Sequence, residues 1–368
     1  MKKSTILTYL IIFIVICIIP TPTYNLLGNY LDKENYEKRN SSEAPTLNIS
    51  TLNSYSEKYE EYFDDNVPFR TQLIKINNFI NCFIFKQSSI SKVIIGKEGW
   101  LYYNPVGTDG DPMADAMGTN FYTDQQMKEC AENLIKVRDQ LKLRGKDFYV
   151  MIAPNKASVY SEYLPEKYNI SENTRADLLV SYLKKHTDIN IVYPKEELIN
   201  KKNTLSDALI YYKTDTHWNN LGGYIGTKSL LSSLNIEIPE PENVEITEIE
   251  RNIGDLSNMM ALNEYFDDKD YQIKGYSENS NVTSQILSKD NSYIVKYNTE
   301  NKDTRTLVLV HDSFSEAMIP YLKTQFNDFY SIHINSYTSD YLNSIDYDVI
   351  VLEVVERYLD NLFTFNVQ

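Results

Sequence analysis

The sequence is short of cysteine, histidine and positive charge, and each shortage removes a class of function. Three cysteines in 368 residues are too few for a disulfide scaffold. Cys17 falls in an apolar N-terminal run, so Cys82 and Cys130 are left as a pair that an oxidising compartment could join, and the sequence leaves that pairing open. No Cys-x-x-Cys and no dense His/Cys cluster occurs, so the pattern gives no metal site and implies no cofactor. Lys and Arg total 36 against 51 Asp and Glu, a formal net charge of −15. Nucleic acid and anionic membrane surfaces both require clustered positive charge, so neither fits as the main partner. No internal repeat or long low-complexity tract is present. With 42% hydrophobic and 24% charged residues, the body of the chain reads as globular, one large domain or two modest ones.

The N-terminus carries Lys2 and Lys3 ahead of Ile6-Leu-Thr-Tyr-Leu-Ile-Ile-Phe-Ile-Val-Ile-Cys-Ile-Ile19, an uncharged apolar run. A cleaved signal peptide would place a small-x-small site after it, and no Ala-x-Ala follows. Residues 1–27 therefore read as an uncleaved signal anchor, a single span with the two lysines cytoplasmic. Everything beyond would lie outside the cell membrane. Residues 28–92 read as a polar stalk followed by two amphipathic helical stretches, near 54–69 and 70–85.

From residue 93 onward the pattern changes. Val93 to Tyr103 reads as a hairpin: a β-branched run, a Gly-containing turn and an aromatic run. A helix is expected near 123–144, closed by Gly145. Short apolar strands at 147–153, 189–193, 306–310 and 347–352 then alternate with helix-like stretches at 172–186, 194–202 and 314–326. That alternation predicts an α/β fold with a mainly parallel sheet covered on both faces. Residues 236–304, rich in Glu, Asn, Asp and Ser, read as an excursion from the sheet, a lid or substrate-facing insert.

Two short segments carry chemistry. Lys213-Thr-Asp-Thr-His-Trp-Asn219 places a carboxylate two residues before one of the four histidines. About a hundred residues later, Val310-His-Asp-Ser-Phe314 places a serine just past an aliphatic run. A serine hydroxyl needs an imidazole to take its proton, and the imidazole needs a carboxylate to fix its tautomer. Asp215, His217 and Ser313 supply those three parts; the competing reading of Asp-x-His is a capped turn with a satisfied histidine. In parallel sheets active residues gather beyond the carboxyl ends of strands, where Asn155, Lys156, Ser313 and the stretch from Glu353 to Arg357 all fall. The Ser313 backbone N–H is one candidate oxyanion donor. Asn155 or Lys156 is a second, with loop capping as the alternative. Trp218 and Asn219 are candidates to touch the substrate, with packing as the alternative. Arg357 is a further substrate candidate, with local ion pairing as its alternative.

In this order, the segments resemble the SGNH-hydrolase-like alginate O-acetyltransferase family and the related clostridial proteins named for an Asp-His-His-Trp motif. The resemblance includes Tyr62-Phe-Asp-Asp-Asn-Val-Pro-Phe-Arg-Thr-Gln-Leu73, Ile94-Ile-Gly-Lys-Glu-Gly-Trp-Leu-Tyr-Tyr103, Ile152-Ala-Pro-Asn-Lys156 and Ser161-Glu-Tyr-Leu-Pro165. It continues through Thr214-Asp-Thr-His-Trp-Asn219, His311-Asp-Ser-Phe314 and Glu353-Val-Val-Glu-Arg357. It implies an SGNH-like three-layer sandwich over residues 93–368. It also implies transfer of acetyl groups onto hydroxyls of a cell-surface polysaccharide, with Ser313 as nucleophile, His217 as general acid/base and Asp215 as its partner. The implied acetyl donor is a multi-pass membrane-bound O-acyltransferase. A carbohydrate acetyl esterase using the same residues, or a silent glycan-binding protein, are the alternative functions. Two positions depart from the pattern: His311 stands where related proteins often carry Gly before Asp-Ser, and Thr216 replaces the first His of Asp-His-His-Trp.

Overall fold

The computed structural model describes residues 3–32, 34, 36, 41–49, 51–105, 110–205, 208–251, 253–276, 281–288, 293–300 and 302–368. The chain divides into two compact units, Met1–Ile90 with Asn258–Leu262, and Ser91–Ser257 with Asn263–Gln368.

The first unit is helical. Helices Lys3–Cys17 and Pro20–Leu27 open it, with Pro20 in the first turn of the second helix, where a missing N–H costs no helical bond. Within the 23 residues Thr5–Leu27 the mean hydropathy reaches 2.3 over 18 residues, enough by length and composition to cross a bilayer. Helices Leu52–Asp65 and Arg70–Phe79 follow, separated at Phe69, whose φ of 63° breaks the helical path. The second of these is shorter than its apolar spacing predicts, because the chain passes into a π-helical turn at Ile80–Ile84.

The second unit holds the strands. β1 (Val93–Ile95) and β2 (Leu101–Tyr103) form the expected hairpin, turning through Glu98 and Gly99 at positive φ. The main sheet contains β3 (Asp147–Ala153), β4 (Asn190–Val192), β7 (Thr283–Ile286), β8 (Ile294–Asn298), β9 (Asp303–His311), β10 (Phe326–His333) and β11 (Val349–Val355). Its order is β4-β3-β11-β9-β10-β8-β7. A separate antiparallel pair is formed by β5 (Ile246–Arg251) and β6 (Asp268–Ile273).

Strand alternation explains the layers. Val150 and Ile152 of β3, Val308 and Val310 of β9, and Ile350, Leu352 and Val354 of β11 face one core. There they meet Leu134, Val137 and Leu141 of helix Asp124–Leu143, and Leu179 and Leu183 of helix Arg175–His186. Their neighbours Met151, Ala153, Leu307, Leu309, Val349 and Val351 face a second core under helix Asn220–Ser233. Each buried aliphatic contributes about 1.5–3 kcal/mol by leaving water. A central sheet with helices on both sides is the three-layer arrangement. Both major helices on the first face begin with capping boxes, Thr123 with Gln126 and Thr174 with Asp177.

Three expectations need correction. The sheet is mixed: pairings from β4 through β10 are parallel, but β8 runs antiparallel to β10 and β7 to β8. Consequently 236–304 is not wholly an excursion, since β7 and β8 extend the main sheet and only β5–β6 forms a separate ribbon. The stretch 314–326 is not one helix; a 3-10 turn at Ser313–Ala317 and a single turn at Ile319–Leu322 with Pro320 precede β10. On β10, Asp328 accepts from Asn298 of β8 at 2.5 Å. Cys82 and Cys130 are both buried free thiols.

Candidate active site

Three strand ends supply one side of the site. β3, β11 and β9 are adjacent and parallel, so Asn155, Glu356 and Ser313 follow neighbouring strands at one edge of the sheet. Ser313 is exposed and is the first residue of the 3-10 turn after β9. The turn is fixed by Asp312. Its Oδ1 accepts the Phe314 N–H at 2.9 Å, and its Oδ2 accepts the Val355 N–H at 2.7 Å. Glu353 lies fully buried beneath it, with Oε2 accepting the Asp312 N–H at 3.2 Å and the Ser315 hydroxyl at 2.9 Å. Burial first, then the Asp312 charge, push the Glu353 carboxyl well above its ordinary range, and its Oε1 has no protein partner. Through these two bonds Glu353 braces the nucleophile turn from below.

The opposite side is the loop from Tyr211 to Trp218, two residues joined by an isolated antiparallel bridge. Lys156 holds this loop from the β3 side. Its Nζ donates to the carbonyls of Tyr212 at 3.1 Å, Lys213 at 3.0 Å and Asp215 at 2.6 Å. Asp268 holds it from β6, accepting from the N–H groups of Lys213 at 3.0 Å and Thr214 at 2.7 Å. Gly254 approaches so closely that a Cβ there would lie 2.3 Å from the Thr214 carbonyl oxygen. Beyond the loop, Trp218 Nε1 donates to the Phe314 carbonyl at 2.7 Å, tying the residue after His217 to the residue after Ser313.

These restraints bring three groups into line. His217 Nε2 is 2.8 Å from Ser313 Oγ, and His217 Nδ1 is 2.7 Å from Asp215 Oδ1. Asp215 Oδ1 also accepts the His217 N–H at 3.1 Å, and its Oδ2 accepts from Arg251 at 3.2 Å and from the Asp255 N–H at 3.1 Å. Burial alone would raise the Asp215 carboxyl; the bonds and charges of His217 and Arg251 outweigh it and hold it far below the usual range. The imidazole rests 4.9 Å from the Phe314 ring. Ser313, His217, Arg251 and Glu316 line a cleft of about 330 Å³ with Tyr212 and Trp218.

The remaining candidates fall elsewhere. Asn219 is fully buried and caps helix Asn220–Ser233, accepting the Gly222 N–H at 3.0 Å and donating to Leu209 at 2.7 Å. Trp218 reaches the cleft but is 1% exposed, so its main work is packing. Lys156 is buried, and loss of hydration lowers its ammonium to about 8. Its three donors are committed to the loop. Asn155 is pinned between Asp115 Oδ2 at 3.3 Å and Arg357 at 3.3 Å. Together Asn155, Lys156 and Arg357 line a second, small cavity of about 20 Å³. The Arg357 guanidinium sits 5.1 Å from the Phe314 ring. Glu356, beside it, accepts from the Asn155 N–H at 2.6 Å and from the Ser158, Thr174 and Tyr193 hydroxyls, a structural hub.

His311 is accommodated. It is 1% exposed, with Nδ1 donating to the Asp312 carbonyl at 2.6 Å and Nε2 accepting the Ser331 hydroxyl at 2.8 Å. Burial lowers it to about 4, so it is a neutral core histidine facing β10. Arg251 and Asp255 had no signal of their own in the sequence, since both come from the acidic 236–304 segment. Asp215, His217 and Asp255 bring ligand-type atoms within 4.8 Å of one another. Each carboxylate is already committed to protein N–H or O–H donors and Arg251 shares Asp215, so the group is a hydrogen-bonded charge network rather than a cation site.

Fold and site together define the class: an SGNH-hydrolase-like α/β protein with a hydrogen-bonded Asp–His–Ser line at the carboxyl edge of its sheet. The chain belongs to the family described as SGNH hydrolase-like domain, acetyltransferase AlgX, whose profile matches residues 93–328, well over half of its length. It is 24% identical over 271 residues to a probable alginate O-acetylase AlgJ of Pseudomonas syringae pv. tomato, covering 72% of this chain and 63% of that protein. A probable alginate O-acetylase AlgJ of Pseudomonas putida is 25% identical over 179 residues, covering 47% of this chain and 43% of that protein. The chain thus spans less than two thirds of these relatives. Among solved structures, a DHHW family protein from Eubacterium siraeum superposes with a TM-score of 0.51 at 19% identity, covering 75% of this chain and 98% of that one. Bacillus cereus PatB1 superposes with a TM-score of 0.53 at 17% identity, covering 74% and 99%. At such identities the structural matches speak for the fold.

Proposed function

We propose that the chain is an extracytoplasmic O-acetyltransferase that moves acetyl groups onto hydroxyls of a cell-surface or exported polysaccharide through an acetyl-Ser313 intermediate. The observation that carries this reading is the Asp215–His217–Ser313 line, with an exposed serine opening on a cleft. The family and its alginate O-acetylase relatives supply the substrate class.

The steps follow from the atoms. For Nε2 to take the Ser313 proton, the imidazole must carry its own proton on Nδ1, and the charged Asp215 beside Nδ1 holds that tautomer. Ser313 Oγ attacks the donor carbonyl as its proton passes to His217 Nε2. Negative charge on the carbonyl oxygen is met by the Ser313 N–H at the start of the turn. The oxyanion collapses, the donor's leaving group takes the proton from His217, and acetyl-Ser313 remains. An acceptor hydroxyl then gives its proton to His217 Nε2 and attacks the ester; the bond to Ser313 Oγ breaks, and Oγ takes that proton back from His217, restoring both residues. Thr5–Leu27 is proposed to anchor the chain in the cell membrane as a single span, and residues 93–368 to form the acyltransferase domain outside it. Acetyl-CoA is cytosolic, so a membrane-bound O-acyltransferase is the proposed donor across the membrane.

A second reading, a carbohydrate acetyl esterase, is favoured by the exposure of Ser313, which lets water reach the same intermediate. Mass spectrometry of an oligosaccharide incubated with the full chain and an activated acetyl ester separates the two. Acetylated oligosaccharide, absent with Ser313→Ala, supports transfer. Free acetate alone supports the esterase, and binding without turnover supports a silent glycan-binding protein.

A further inference from the structure

The carboxylate of Asp255 is a part of the site that the Asp–His–Ser line does not use. Its Oδ2 lies 4.0 Å from His217 Nδ1, on the same nitrogen that Asp215 contacts. Thr216 fills the space between: its Oγ1 donates to Asp255 Oδ2 at 2.6 Å and lies 3.2 Å from His217 Nδ1. The Thr216 N–H donates to Asp255 Oδ1 at 2.8 Å. In return the Asp255 N–H donates to Asp215 Oδ2 at 3.1 Å. The two carboxylates and the imidazole are therefore one closed hydrogen-bonded set, built from the Asp-Thr-His loop and the segment after β5.

We propose that Asp255 is a second positioning carboxylate for His217, acting through Thr216 Oγ1, so that the imidazolium formed in turnover is balanced by two negative charges. The proposal rests on the acyl-transfer reading above. With its hydroxyl proton given to Asp255, Thr216 Oγ1 keeps lone pairs to share the Nδ1 proton with Asp215. Thr216, the departure from Asp-His-His-Trp, makes this bridge with one hydroxyl that donates to Asp255 and turns its lone pairs toward His217.

The surrounding charges are consistent with a paired role. Lys156 and Tyr103 also face Asp255, Glu316 faces His217 from the Ser313 turn, and Arg251 faces Asp215. Burial and then the Asp215 charge raise the Asp255 carboxyl, while His217 draws it back down. When His217 takes the serine proton, its imidazolium adds a positive charge beside both carboxylates.

The test is the ring titration of His217, read by NMR on histidine-labelled full chain and assigned with His217→Gln. Asp255→Asn keeps the shape of the side chain and removes its charge. The proposal expects the titration midpoint to fall by about one pH unit, the scale of a lost neighbouring charge at this distance. Thr216→Val should give a smaller fall, because Asp255 then acts through space alone. An Asp255→Asn midpoint that does not move overturns the proposal, whatever happens to activity. The titration is visible without turnover, so inert wild-type protein with a shifted midpoint would count against the acetyltransferase reading alone. In active protein, the acid limb of ester release should move down with the midpoint; a uniform loss at all pH values would mark Asp255 as merely structural.

Discussion

Replacing Lys156 with Met should change how stability depends on pH more than it changes stability itself. The ammonium is buried against three carbonyls and the rings of Trp100 and Tyr102, with no carboxylate within salt-bridge reach among the described residues. Lost hydration lowers it from its ordinary 10.5 to about 8. Below pH 8 both folded and unfolded chains carry the proton, and the folded state bears the full cost of burying it. Between pH 8 and 10.5 the unfolded chain binds more protons than the folded one, so stability rises with pH across that window. A shift of about 2.5 units at ~1.4 kcal/mol per unit gives about 3 kcal/mol. In Lys156→Met the Tyr212 and Asp215 carbonyls lose their donor, while Lys213 keeps the Leu101 N–H at 2.8 Å. Each orphaned carbonyl costs about 1–3 kcal/mol, offset by no longer burying a charge, so the variant should lie within ~2 kcal/mol of wild type at pH 7. The assay is denaturant unfolding of both proteins by circular dichroism from pH 7 to 11. Wild type should gain about 3 kcal/mol on the variant between pH 8 and 10.5. A difference that stays flat would refute the buried, charged lysine.

Two further outcomes follow from the same contacts. Trp218→Phe keeps the ring packing but removes the bond to the Phe314 carbonyl, so it should cost ~1–2 kcal/mol in thermal unfolding and lower ester turnover about tenfold by loosening the Ser313–His217 distance. His311 must stay neutral in the fold while the unfolded chain protonates it, so acidification from 6.5 to about 4 should remove stability, ~3 kcal/mol at most, and His311→Gln should flatten that acid loss in unfolding curves.

The central strands and the capped helices were legible in the sequence because their signals are local. Phe148 to Ala153 is a largely apolar run, and helix Asp124–Leu143 carries its own capping box and a following Gly145 at positive φ. Asp215, His217 and Ser313 were legible as residue types in a known chemical order, and the edge of a parallel sheet told where they would gather. Residues whose meaning depends on a distant partner were not. Phe326 to His333 interrupts its apolar residues with Asn327, Asp328 and Ser331, so its strand character appears only once Ile294–Asn298 and Asp303–His311 are beside it. Asp255 and Arg251 sit in an acidic stretch of the sequence where one more charged residue looks like surface. Lys156 and Asn219 show the opposite failing: residues that look chemical beside a site were spent on holding its loops.

The acyl-enzyme tests the central claim most directly. Full chain mixed briefly with a chromogenic acetyl ester, quenched in acid and digested, should carry one acetyl group on the peptide containing Ser313. Ser313→Ala should carry none and should not release the chromophore. Ester turnover that leaves Ser313 unmodified, or full turnover by Ser313→Ala, would contradict the account.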